Sequence, residues 1–173
     1  DDSPVITSIS AATINDVLTI YTGTFDAQYG GDGLDFISTG IKNSGTLGDK
    51  EVTFVQSLVD GTDLTKVDVT NNMGQVEFTF YYKTTESHVN DGGNGSVVLN
   101  AYTNIEATTN DKFFTLLINS DKTYTFEMNS NKILSSSNNI SEVTMQTFKV
   151  GQTSVKMIFR ACKYFPKSTI ELV

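Results

Sequence analysis

The chain has 173 residues, a formal charge of −8, one His, one Cys and no Trp. Thr (24), Ser (16) and Asn (14) together make 54 of the 173 residues, while charged residues make only 18%, against about 25% in an average globular domain. That composition excludes a coiled coil or helix bundle, which would be rich in Ala, Glu, Lys, Leu and Arg, and a pI near 4.5 excludes a basic nucleic-acid binder.

In chain order, Val5 to Ile9 reads as a terminal strand, and Ala11 to Asp16 offers at most one helical turn. Strands follow at 16–25, 34–42, 50–59 and 64–70, with a second possible helical turn at Asp60 to Lys66. Val76, Phe78, Phe80 and Tyr82 then alternate with Glu77, Thr79 and Tyr81, and the period of two puts each set on one face of a strand. Residues 84–95 read as a long exposed loop, followed by strands at 96–103 and 112–119. Tyr124, Phe126 and Met128 alternate with Thr123, Thr125 and Glu127, so Phe113 to Met128 forms a hairpin turning at Asn119–Lys122. A polar loop at 129–141 precedes strands at 142–149, 155–161 and 168–173.

Turn signals separate these runs at short intervals: Gly30-Gly31-Asp32-Gly33, Asn43-Ser44-Gly45, Asp60-Gly61, Asn71-Asn72-Met73-Gly74, Asn90 to Gly95 and Gly151. Gly, Asn and Asp tolerate the positive φ of tight turns. Many short strands with turns every 8–12 residues or so predict an all-β, antiparallel β-sandwich or jelly roll, a single domain with little or no helix. Within it, residues 1–20 are expected as an edge or strand-exchange segment and 21–173 as the sandwich proper. Phe36 to Thr70, with Lys42-Asn43-Ser44-Gly45-Thr46 and Asp60-Gly61, resembles the strand–turn rhythm of Ig-like domains in microbial surface proteins. The resemblance implies an extracellular β-sandwich and no more.

The chain opens Asp1-Asp2-Ser3-Pro4 without an initiator Met, which reads as the product of a removed signal peptide. No run of 18 apolar residues exists, so membrane insertion by a helix is not expected. Asn94-Gly95-Ser96 and Asn139-Ile140-Ser141 match the N-glycosylation pattern.

Catalytic chemistry finds little to work with. His88 is the only histidine, it lies in the 84–95 loop, and it reads as a solvated side chain rather than a base. Cys162 lies in an apolar run and reads as a small core residue. No Gly-x-Ser-x-Gly elbow is present, and one His and one Cys 74 positions apart make no transition-metal site. Glu77 and Glu127 sit on polar strand faces and could meet across a sheet as a glycosidase pair. Solvated acids on a sheet exterior are the simpler reading of both.

Calcium is the most credible ion, since it takes carboxylate and amide oxygens from flexible loops. The candidate ligands are Asp26, Asp32 and Asp35 around one turn, and Asp91 and Asn94 in the Gly-rich loop; Asp60, Asp63 and Asp68 crowd another turn. Plain β-turns prefer the same residues. Tyr81, Tyr29 and Tyr102 are candidate ligand-binding aromatics, with Tyr81 expected on the face opposite Phe80. The expected function is therefore a secreted or cell-surface, non-enzymatic β-protein, a structural or adhesive subunit of an extracellular assembly joined by terminal-strand addition. Its partner would be further copies of itself, as homo-oligomer or polymer, or a surface glycan; nucleic acid is not expected. The alternative is a lectin-like carbohydrate-binding module, calcium-dependent or not.

Overall fold

The computed structural model describes residues 5–9, 12–14, 20–31, 33–41, 43–47, 50–128, 148–150, 153–155, 157–160 and 168–172. Fifteen strands run through them: β1 Val5–Ile9, β2 Ala12–Ile14, β3 Ile20–Gln28, β4 Ile37–Thr39, β5 Ser44–Leu47, β6 Lys50–Leu58, β7 Thr65–Thr70, β8 Val76–Glu86, β9 Val97–Tyr102, β10 Lys112–Ile118, β11 Thr123–Met128, β12 Phe148–Val150, β13 Thr153–Val155, β14 Met157–Arg160 and β15 Ser168–Leu172. Among the described residues the only helical structure is two single 3-10 turns, Val89–Asp91 and Thr109–Asp111. The protein is antiparallel β throughout those residues, as its alternation predicts.

Nine strands form one sheet in the order β1-β3-β11-β10-β9-β8-β7-β6-β5. From β5 to β11 neighbours in sequence are neighbours in space, so this part is an up-and-down meander closed by short turns. Two three-stranded sheets, β13-β12-β4 and β14-β15-β2, accompany it. Strand β4 lies against β8 and β9 and delivers the fully buried Ile37 to the core.

One face of the large sheet carries that core. Val52 and Phe54, Val67 and Val69, Phe80, Val97, Leu99 and Ala101, Leu116 and Ile118, Tyr124 and Phe126, and Phe25 and Ala27 are all buried in a single cluster. The rows are set by register: Phe54 faces Val69, Val67 faces Phe80, Leu116 faces both Leu99 and Phe126, and Ile118 faces both Val97 and Tyr124. Four Phe rings tie the centre together. Phe80 meets Phe113 edge-on at 5.7 Å between centroids, Phe113 meets Phe114 at 5.0 Å, and Phe114 stacks with Phe126 at 5.6 Å, geometries that suit the quadrupoles of aromatic rings.

Phe113 and Phe114 are adjacent, yet both are buried in the same cluster. A regular strand would send them to opposite faces. The β9–β10 ladder shifts register between Lys112 and Phe114, and this irregularity turns both rings inward. Gly23 has a different task. It faces Tyr124 across the β3–β11 ladder, and a Cβ there would collide with the Tyr124 ring. The buried phenol therefore lies where any other residue's side chain would begin.

Several local expectations shift. Residues 12–14 are strand rather than helix, and Asp60 to Asp63 form turn and bend before β7 begins at Thr65. Ser44 and Gly45, expected in a turn, belong to β5, whose Leu47 faces Lys50. The hairpin thus turns later, after the two short polar residues have paired with Thr53 and Val52. The described parts of the 1–20 segment find partners inside the chain, β1 along β3 and β2 along β15. The 129–141 loop and Cys162 lie outside the described residues.

Candidate functional site

The exposed loop expected at 84–95 begins three residues later, and its tip, residues 89–94, is exposed. Strand β8 continues to Glu86, which faces Val97, and a tight connection of residues 87–96 follows. Its backbone is closely bonded: the Ser87 amide donates to the Ser96 carbonyl at 2.8 Å, Gly95 to Ser87 at 2.7 Å, and Gly93 to His88 at 2.8 Å. Gly92 and Gly95 both take φ of 86°, and Gly95 is buried against Leu34, Ser120 and Val89. The glycines that suggested floppiness are what allow the turn to fold back on itself.

Within this turn His88 is held on three sides. Its ring stacks on Phe36 with centroids 4.2 Å apart and planes 13° from parallel. Nε2 lies 3.1 Å from a Glu86 carboxylate oxygen, and Nδ1 lies 3.5 Å from Asp35 Oδ2. Asp35 is fixed in turn: its Oδ1 accepts the Asn90 amide at 2.9 Å and its carbonyl accepts the Val89 amide at 2.9 Å. The hydrogen bond to Glu86 raises the His88 pKa above its ordinary 6.5, partial desolvation opposes this, and the charges of Asp35, Glu86 and Asp91 add to the rise.

Two further loops join the same end of the sheet. The Tyr29 hydroxyl donates to the Ser120 carbonyl at 2.7 Å, and Ser120 Oγ donates to the Asn94 carbonyl at 2.6 Å. Lys122 Nζ sits 5.6 Å from the Tyr29 ring centroid. Burial, and secondarily the charge of Asp121, pushes the Tyr29 phenol above its usual value. The fold thus gathers four candidates, Tyr29, Asp35, Asp91 and Asn94, with His88 and Phe36 around one set of loop tips.

The remaining candidates are placed differently. Asp26 is exposed on β3, opposite Ser8. Asp32 and Asn139 lie outside the described residues. Asn94 is exposed, and its side-chain oxygen accepts both the amide and the hydroxyl of Ser96, at 3.0 and 2.6 Å. Tyr81 is half-exposed on the face opposite Phe80, beside Lys66 on one strand and Tyr102 on the other. Tyr102 itself is only 6% exposed, so its ring packs rather than faces solvent. Glu77 and Glu127 do not meet, because β9 and β10 separate their strands, and Glu77 instead accepts from the Asn71 amide group at 2.9 Å. Among the described residues, no three His, Cys, Asp or Glu side chains gather where they could hold a metal ion.

Chemically, a ring with Glu86 in hydrogen-bond reach of Nε2 and Asp35 in ion-pair reach of Nδ1 is drawn toward its protonated form, in which both nitrogens carry a proton. The sequence carried half of this: Glu86 and His88 are two apart at a strand end, the spacing that puts side chains on one side. Asp35, more than 50 positions away, left no local signal. No family model matches the chain, and comparison with curated proteins and with solved structures found no match either.

Proposed function

We propose that this protein is an extracellular, non-enzymatic β-protein that works by surface contact, as a structural or adhesive subunit of an assembly of its own copies. The observation that carries this reading is the second face of the large sheet. Lys66 and Asp68, Thr79, Tyr81 and Lys83, Val98 and Asn100, Thr115 and Leu117, and Thr125 and Glu127 are all half-exposed on it. Part of its polarity is already organised: Thr115 donates to Asn100 at 3.0 Å and Thr79 to the Asp68 carboxylate at 2.6 Å. Such a face is broad and balanced in charge, Lys66 and Lys83 being offset by Asp68 and Glu127, and its hydrogen-bonded Thr and Asn side chains lose little further rotamer entropy against a partner. The small sheets β13-β12-β4 and β14-β15-β2 serve as the second wall of a sandwich over the core face. Since β1 and β2 are paired within the chain, coupling by strand addition would use a sheet edge, and among the described residues β5 is an outermost strand of the large sheet.

A second reading is supported by the loop-tip cluster. The Phe36–His88 stack beside Asp35, Glu86, Asp91 and Asn94 presents aromatic surface next to carboxylates and amides, the combination that grips a sugar, and calcium could add to it. No helix of the described residues is long and apolar enough to cross a membrane.

Light scattering on the purified chain, with calcium and with chelator, separates the two. Particles larger than a monomer, lost in a Tyr81→Asp and Thr115→Arg double variant that stays folded, support assembly. A monomer in both conditions overturns it. A glycan array then tests the second reading, and a blank array in both conditions removes it.

A further inference from the structure

We propose that His88 is a protonation-dependent clasp, which fastens the segment leading into β4 onto the β8–β9 connection when its ring carries two protons and releases that joint when it carries one. The geometry is the argument. Glu86 approaches one ring nitrogen from β8, at 3.1 Å, and Asp35 approaches the other from the 33–36 segment, at 3.5 Å. An imidazolium donates to Glu86 and turns its second N–H toward Asp35 within ion-pair reach. A neutral ring has one N–H and one lone pair, so either tautomer turns a lone pair toward a carboxylate. No neutral state satisfies both partners.

The charged groups that face the ring are Glu86 from its own strand end, Asp35 from the opposed segment and Asp91 from the 3-10 turn; all three are acidic. The fourth neighbour, Phe36, is uncharged and covers one ring face. All three carboxylates favour the protonated ring and outweigh the partial desolvation that opposes it, so the folded-state pKa lies above 6.5 and the clasp is closed below that folded-state value.

What the clasp holds is also defined. The Val89 and Asn90 amides bond to Asp35, and the Ile37 amide that begins β4 bonds to the Gly95 carbonyl at 3.0 Å. These bonds cross the same joint. When Asp35 loses the imidazolium it is held only by the two amides, and the joint opens more often. The inference does not depend on what the protein binds.

The chain has a single histidine, so a ring titration is assignable without ambiguity. The test is hydrogen exchange of the Val89 and Asn90 amides in the full chain from pH 5.5 to 8.5, corrected for intrinsic exchange, beside an NMR titration of the ring. Protection of these amides is expected to fall roughly two- to five-fold, the scale of an exposed charge pair, with the midpoint of the ring titration. His88→Gln is expected to show low, flat protection. Glu86→Gln keeps the ring and is expected to move both midpoints together to lower pH. Flat protection in the unmodified chain overturns the proposal. So does a fall whose midpoint stays put in Glu86→Gln while the ring titration moves.

Discussion

The two faces of the large sheet are built from the same strands, often from adjacent residues, and they do opposite things. In β7, Val67 and Val69 are fully buried, while Lys66 and Asp68 between and beside them lie in partial contact with water. In β8, Phe80 is sealed within a ring cluster, and its neighbours Thr79 and Tyr81 line the open face. The inner face is held by burial of large apolar surface, which is worth roughly 25 cal/mol per Å². The outer face contributes hydrogen bonds and weak ion pairs that water competes for. Stability is thus concentrated on one side of strands such as β7 and β8.

The sharpest way to break that contrast is to truncate on each face in turn. Phe80→Ala is expected to cost about 3–5 kcal/mol, because the surrounding Phe113 and Phe114 rings cannot collapse into the space. Tyr81→Ser, one residue away, is expected to change stability by less than about 1 kcal/mol. Urea midpoints for the pair measure the difference, and equal values would show that the open face is covered.

Gly23→Ala tests the inner face from the other direction, by adding volume. The new methyl meets the buried Tyr124 ring, so a loss of about 1–3 kcal/mol is expected. Combining it with Tyr124→Leu is expected to cost less than the sum of the two single changes, since they share one site.

On the outer face, Asp68→Ala removes the acceptor of the Thr79 hydroxyl and the partner of Lys66 at 3.6 Å. About 0.5–1.5 kcal/mol is expected, the larger part from the hydrogen bond, with the ion-pair share shrinking in high salt.

The smallest effect belongs to His88. Its folded pKa is raised, so its contribution is fully present below the unfolded value of 6.5 and is lost as pH rises through the folded value. The stability difference between the unmodified chain and His88→Gln is expected to shrink above neutrality. Thermal midpoints at pH 6 and pH 8.5 measure it, and a difference that grows with pH would reverse the assignment.

Much of the large sheet was legible because alternation is a local property. Val76 to Tyr82 and Tyr124 to Met128 announce the core side by their alternation; Phe80, Tyr124 and Phe126 are buried there, whereas Val76, at the start of β8, is 55% exposed. The candidate site was legible only in pieces. Tyr29, Asp35, Asp91 and Asn94 stand out by type, but nothing local tells that the glycines of the 87–96 connection fold it back on itself. The meeting of His88 with Asp35 leaves no local signal, because the two are distant in sequence.

By itself, then, the sequence determined the β class, the inward places of Phe80, Tyr124 and Phe126 and the position of several turns, because each follows from a period of two and the φ preferences of Gly, Asn and Asp. Tertiary structure decided the order of the strands, the inward turn of both Phe113 and Phe114, the pairing of Gly23 with Tyr124 and the meeting of His88 with Asp35. These depend on which strands become neighbours and in what register, and a chain segment carries no local record of the segment that will lie beside it.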